Sequence, residues 1–250
     1  MPLEAPISPI ADRVADLNAR YAHHAAADVL EYALFDPQVG STALVSSFGA
    51  ESVVLLHMVS VVDRTTPVLF LDTEMLFPET LEYQREVAGR LGLTNVQVIR
   101  PDRSQVFLQD TNNSLHKANP DACCALRKTA PLQKAVEPFD AWITGRKRFQ
   151  GGQRAAIQFF ETEGEERIKI NPLAHWAPED VQDYILNNRL PRHPLVAKGY
   201  PSIGCLPCTT RVAEGEDQRA GRWRGKEKEE CGIHFVDGKI VRTPATKETL

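Results

Sequence analysis

The chain has 250 residues, 42% hydrophobic and 25% charged, with a formal net charge of -4. That is enough for one large α/β domain with a tail or for two small ones, and it leaves no global basic field for coating a nucleic acid or a membrane surface. The longest apolar run, "SVVLLHMVSVV", is too short to span a bilayer, and the N-terminal stretch has no apolar core of signal-peptide type. A cytoplasmic, reducing compartment is therefore expected, where closely spaced cysteines point to metal binding or catalysis and not to a disulfide framework.

In chain order, residues 1–40 read as a helical segment, with helix-period apolar positions in "DLNARYAHHAAADVLEYAL". Then "TALVSSF" predicts a strand, "ESVVLLHMVSVV" a helix, and "PVLFLDT" an apolar strand. "PETLEYQREVAGRLG" predicts an amphipathic helix that begins at Pro78 and closes on Gly92. "NVQVIRP" and "AWITG" predict a third and a fourth strand on either side of a helix bearing Cys123 and Cys124, and "RIKINPLAHW" with "PEDVQDYILNN" adds a short strand and a helix. Short strands alternating with longer helices predict a doubly wound, mostly parallel sheet with ligands beyond the carboxyl ends of its strands. Residues 41–200 are thus expected to form a nucleotide-binding α/β domain. Over 201–250 periodicity fails from about Gly199, and the charged, Gly-rich sequence predicts a mobile C-terminal arm.

"SSFGAES" joins the first strand to the next helix. Its helix-start amides, the hydroxyls of Ser46, Ser47 and Ser52, and the small Gly49 suit a phosphate, although a serine-capped turn would read the same. It is not a Walker A loop, because no Gly-Lys-Ser/Thr ending follows. Asp72 and Thr73 sit at the tip of the second strand, where a doubly wound sheet keeps nucleotide-reading groups and where helix caps are also common. Basic residues cluster near strand ends and in the tail: Arg127, Lys128, Arg146, Lys147, Arg148, Arg154, Arg211, Arg219, Arg222 and Arg224. Many are solvated, but an anion with several phosphate-like oxygens needs a few of them to converge.

Five cysteines remain to be placed. Cys123 and Cys124 are adjacent in "NPDACCALRK", Cys205 and Cys208 form C-x-x-C in "GCLPC", and Cys231 stands apart in "EECGIH". The two pairs supply four thiolates, enough for tetrahedral zinc or for an iron–sulfur cluster. Neighbouring residues struggle to aim both sulfurs at one metal atom, whereas a four-iron cube offers each its own iron, so the cluster is favoured, with zinc or packed thiols as alternatives. Cys231, in a polar and Gly-flanked segment, suits a nucleophile on a mobile arm, or is a spare surface thiol. Glu229 and Glu230 beside it would raise its pKa, so thiolate formation would need cations met on docking. No acid or base stands out among the seven histidines; His234 lies three residues after Cys231.

Taken together and in order, "SSFGAES", "LDTEMLFPET", "CCALRKTAPL", "WITGRKRFQGGQRA", "GCLPCT", "RAGRW" and "ECGIH" resemble the assimilatory sulfonucleotide reductases, in particular the iron–sulfur adenylylsulfate reductases. The resemblance runs over nearly all the chain from about residue 40. It implies a fold of the adenine-nucleotide alpha-hydrolase-like type and a [4Fe–4S] cluster held by Cys123, Cys124, Cys205 and Cys208. It also implies a catalytic Cys231, a lysine near the cluster at Lys128, substrate-binding arginines at Arg154, Arg219 and Arg222, and a nucleotide loop at the serines. The implied reaction is attack of a cysteine thiolate on adenosine 5'-phosphosulfate, giving AMP and a cysteine S-sulfonate from which thioredoxin or glutaredoxin releases sulfite. A homo-oligomer is expected. The family often has Gly where this chain has Glu74, and "GRKRFQGGQRA" departs from the commoner Arg-Arg-x-Gln-Ser form, so Arg146, Lys147 and Arg148 receive no individual roles. Rival readings are reduction of the 3'-phosphorylated nucleotide, or of both nucleotides, and more distantly an ATP-pyrophosphatase-type ligase or an iron–sulfur redox sensor. A ligase would normally show Ser-Gly-Gly-x-Asp-Ser where this chain has Phe48, Ala50 and Glu51, and a sensor would need no Cys231.

Overall fold

The structure, a computed structural model, describes residues 9–226 and residue 228. Helices α1 (Ile10–Tyr21) and α2 (Ala26–Phe35) come first and bury Val14, Leu17, Tyr21, Val29 and Leu30 in the main core. The sheet then forms from β1 (Thr42–Ser46), β2 (Val68–Leu71), β3 (Val96–Ile99), β4 (Ala141–Ile143), β5 (Phe160–Glu163) and β6 (Arg167–Ile170), in the order β3-β2-β1-β4-β6-β5. Every pairing is parallel except β5 with β6. Leu44 of β1 sits opposite both Val68 and Ile143, at the centre of the sheet.

Apolar residues on both faces explain the layering. One face is covered by α3 (Ser52–Val62), α4 (Pro78–Leu91) and α9 (Pro178–Asn187), whose core includes Val53, Leu56, Tyr83 and Val181. α3 is apolar almost all round because α2, α4 and α9 pack on it. The other face is smaller: Ala43, Leu69, Leu71 and Trp142 meet Leu132 and Val136 of α8 (Ala130–Val136). α4 keeps its predicted limits, with Pro78 in the first turn and Gly92 at φ 65° donating its amide to Gly89 O and Ala88 O.

Between β3 and β4 the chain forms α5 (Arg103–Gln109), α6 (Leu115–Ala118) and α7 (Pro120–Cys124), and α7 runs through a π-helical turn (Ala125–Thr129) into α8. Asp102 caps α5 through the amides of Ser104 and Gln105, and Asn119 caps α7 through Ala122 N–H at 3.0 Å.

Two features depart from the sequence expectation. The sequence pattern does not predict β5: "FETE" is short and charged, and it folds onto β6 through a turn at Gly164 (φ 60°). Asn18 of α1 covers part of this edge strand, donating Nδ2–H to Phe160 O (2.8 Å) and accepting Phe160 N–H (3.0 Å). The second is the stretch from Gly199 to Lys226, which the sequence reads as the start of a mobile arm. It folds back over the strand ends, with bridges between Leu76 and Cys205 and between Thr209 and Arg222. Backbone bonds over more than a hundred residues, such as Leu206 N–H to Met75 O (2.8 Å), replace the periodicity it lacks.

Candidate active site

Strand order reverses between β1 and β4, the point at which a doubly wound sheet leaves a crevice. A cleft of about 420 Å³ occupies it, lined by Ser46, Ser47, Gly49 and Ser52 from the β1–α3 loop and by Thr73 after β2. The loop's shape comes from its own side chains. Phe48 takes φ 47° and buries its ring against Phe70, with centroids 5.1 Å apart. Ser46 Oγ accepts Phe48 N–H (3.2 Å) and Ser52 Oγ accepts Gly49 N–H (3.0 Å). Both hydroxyls act as acceptors here, so each O–H can still point at a ligand. A Cβ at Gly49 would stand 3.3 Å from Ser47 Oγ and 3.5 Å from Ile203 O, which explains the small residue.

Asp72 and Thr73 part company. Thr73 lines the cleft, while the buried Asp72 carboxylate accepts Arg100 Nε–H (3.1 Å) and Glu74 N–H (3.0 Å) and is not a cleft residue. Asp72 holds the turn that presents Thr73. Glu74 has φ 58°, the left-handed backbone that glycine adopts without strain.

Six cations line the cleft beside this loop: Lys128, Arg146, Lys147, Arg154, Arg219 and Arg222. Arg222 donates to Ile203 O (3.2 Å), lies 4.5 Å from the Trp223 ring centroid, and presses so closely on Gly204 that a Cβ there would sit 2.3 Å from Arg222 Nη2. Lys147, to which the sequence assigned no role, is buried at the cleft wall and bonds Glu51 Oε2 (2.7 Å) and Gly145 O (3.1 Å). Burial pulls its ammonium pKa down, and Glu51 opposes that. The Arg146 guanidinium is held by Asn171, Thr144 and an ion pair with Glu161. Arg148 donates Nε–H to Ile157 O (2.7 Å). Nothing in the local sequence tells these three neighbours apart, because their partners lie on other elements.

Next to the cleft is a smaller cavity, about 20 Å³, walled by Cys123, Cys124, Cys205 and Cys208 together with His116 and Trp223. The two spaces share Thr73, Lys128, Cys205, Arg222 and Trp223. None of the four is in a disulfide, and Cys205 Sγ lies 3.2 Å from Thr73 Oγ1. Burial pushes the Cys123 thiol up to about 11, with Cys205 adding to the rise and Arg127 opposing it. The buried Arg127 guanidinium fixes the π-helical turn behind the pair: it bonds Asp110 Oδ2 (3.0 and 3.2 Å), Asn113 Oδ1 (2.7 Å) and Thr73 O (3.2 Å). The C-x-x-C side is held by Thr209 Oγ1 donating to Cys205 O (2.9 Å) and by Trp223 N–H donating to Cys208 O (3.0 Å). Among the described residues no group of three or more His, Cys, Asp or Glu side chains is arranged to hold a single metal ion. Cys231, its neighbours Glu229 and Glu230, and His234 lie outside the described residues.

A cationic, Gly/Ser-looped cleft at the reversal point of a doubly wound sheet defines the class of α/β proteins that bind a phosphorylated nucleotide. The comparisons narrow the class. Residues 41–211 match the family described as phosphoadenosine phosphosulfate reductase domain. The chain is 51% identical over 236 residues to an adenosine 5'-phosphosulfate reductase of Chelativorans sp., covering 94% of each chain. It is 48% identical over 237 residues to the protein of the same name in Mesorhizobium japonicum, covering 95% of this chain and 93% of that one. Among solved structures it is similar to the phosphoadenylyl-sulfate reductase of Candida auris in a phosphate complex, at TM-score 0.70 and 29% identity over 82% of this chain and 100% of that one. The chain belongs to the phosphoadenosine phosphosulfate reductase family.

Proposed function

We propose that this chain is an oxidoreductase of sulfate assimilation that reduces adenosine 5'-phosphosulfate to sulfite and AMP. The observation that carries the reading is the shared wall between a cationic cleft and a cavity lined by four cysteines. The serine loop takes the AMP phosphate through hydroxyls and helix-start amides, and Lys128, Arg154, Arg219 and Arg222 take the sulfate end. These four cations are partly buried, which strengthens each charge-assisted bond relative to one in open water.

Cys231 is the nucleophile. Its thiolate forms a bond to the sulfate sulfur, the S–O bond to the phosphate breaks, and AMP leaves with the electron pair. The product is a Cys231 S-sulfonate. The dithiol of thioredoxin, or of glutaredoxin, supplies two electrons, leaves as a disulfide and frees sulfite. The cleft arginines offset the charge of the phosphosulfate and of Glu229 and Glu230 as the thiolate approaches.

The four cysteines fit a [4Fe–4S] cluster: they come from two segments, wall one cavity without forming a disulfide, and include an adjacent pair that a single metal atom accommodates poorly. Cys123, Cys124, Cys205 and Cys208 would hold it, and when bound it supplies fixed charge next to the substrate cleft. A homo-oligomer in a reducing cytoplasm completes the reading; among the described residues no helix is long and apolar enough to cross a membrane.

A second reading, reduction of the 3'-phosphorylated nucleotide, is favoured by the family's description and by the name of the Candida auris structure. Turnover of both nucleotides with thioredoxin, following sulfite, separates the two. A higher kcat/KM for adenosine 5'-phosphosulfate is expected; equal values would make the enzyme dual, and no sulfite from either would sink the proposal.

A further inference from the structure

We infer that His116 donates a hydrogen bond from Nδ1–H to a sulfur of the group held by the four cysteines, and so tunes it; this rests on the cluster reading above. His116 lies on α6, seven residues before Cys123, and is one of the residues that line the cavity. Its backbone carbonyl accepts Lys226 Nζ–H at 2.8 Å, which ties this turn to the C-terminal segment. The ring is held differently: Nδ1 is wholly buried and has no hydrogen-bond partner. A buried ring nitrogen without a partner is unusual, because the bond to water lost on burial is normally replaced. The cavity that His116 lines is walled by cysteines, and thiolates and sulfides offer acceptors. An acceptor-only neighbour selects the tautomer with the proton on Nδ1. Hydrogen bonds to its sulfurs draw electron density from an iron–sulfur group, shifting its potential and its iron–sulfur bond strengths. The sequence shows no sign of this, since His116 lies outside every cysteine motif.

The experiment uses the full chain, purified anaerobically, with iron and sulfide counted first and iron–sulfur stretching bands then recorded in H2O and D2O by resonance Raman spectroscopy. Wild-type protein should show bands that shift in D2O. His116→Ala should keep about four irons and four sulfides, move the bands and lose part of the D2O shift; His116→Asn, whose amide can place an N–H near the Nδ1 position, should restore it. Unchanged bands and an unchanged D2O response in His116→Ala would overturn the inference. So would loss of iron from both variants, which makes the ring a packing element only. If His116→Ala alone loses iron, a wild-type D2O response in His116→Asn supports the inference and its absence refutes it. Zinc without sulfide in the wild-type protein removes the cluster reading itself, an outcome the metal count distinguishes from failure of the His116 contact.

Discussion

Glu74 shows how a single backbone angle carries information that residue type hides. Its φ of 58° places an L side chain in left-handed space, and its carboxylate is no closer than 3.8 Å to Arg103 and 3.9 Å to Arg127. Relieving the strain is worth about 1–2 kcal/mol, less about 0.5–1 kcal/mol for the extra freedom of unfolded glycine. Glu74→Gly should therefore stabilise the protein slightly, raising Tm by about 2–4 °C per kcal/mol gained, with activity kept; a fall in Tm would show that the long ion pairs matter more than the backbone. At the cleft, Arg222→Ala removes a cation stacked on Trp223. Losing one charge-assisted bond costs about 1.5–3 kcal/mol, so kcat/KM should drop by about 10- to 100-fold. Unchanged kinetics would leave Arg222 a structural partner of Ile203 and Trp223. Thr73 and Asp72 mark the limit of reading single residues: neighbours at a strand tip face opposite ways, and sequence does not say which one meets the ligand.

At the level of elements, two couplings can be tested. The π-helical turn that presents Cys123 and Cys124 depends on Arg127 and Asp110, whose side chains are 2% and 0% exposed. Asp110→Ala leaves a buried guanidinium without its carboxylate, which costs about 3–5 kcal/mol. The variant should unfold at lower denaturant and lose iron faster to a chelator; wild-type behaviour in both would show that Asn113 and Thr73 suffice. The second coupling ties α4 to the chain beyond α9. His193 Nδ1 accepts Leu195 N–H (3.2 Å) and Nε2 bonds Thr80 Oγ1 (3.0 Å), so the folded ring is neutral. Burial lowers its pKa from the ordinary 6.5 to about 4, with Glu79 opposing the shift. Between those values the unfolded chain binds the proton that the folded chain refuses. This stability is thus complete above about pH 6.5 and lost as pH falls toward 4, with a slope of at most about 1.4 kcal/mol per pH unit. Denaturant titrations at several pH values should show that slope in the wild type and a flatter one in His193→Gln; parallel profiles would assign the acid sensitivity elsewhere.

For the whole molecule, the proposed division of labour puts binding and thiol chemistry on separate cysteines. Cys231→Ser should keep iron, sulfide and nucleotide affinity while sulfite production disappears, because a serine hydroxyl is a far weaker nucleophile. Wild-type protein given adenosine 5'-phosphosulfate without a reductant should gain the mass of one sulfite unit on the peptide that contains Cys231, and thioredoxin should remove it. Mapping of the adduct to Cys205 or Cys208 instead would exchange nucleophile and ligand.

Local sequence determined what depends on neighbours along the chain. The strand–helix alternation, the limits of α4 at Pro78 and Gly92, the Gly/Ser loop and the two cysteine pairs are all patterns within a few residues, set by sterics and periodicity. The order of motifs carried the family. Tertiary structure decided what depends on partners far away. It placed Cys123 and Cys124 beside Cys205 and Cys208 through bonds such as Leu206 N–H to Met75 O, and it drew the folded stretch from Gly199 to Lys226 over the strand ends. It gave Arg146 to Glu161 and Lys147 to Glu51, although the two lie side by side in sequence. It also buried His116 Nδ1 without a hydrogen-bond partner in a residue that lines the cysteine cavity. Periodicity reports which face of an element is apolar, but the reversal of strand order between β1 and β4 decides which side chains share one space.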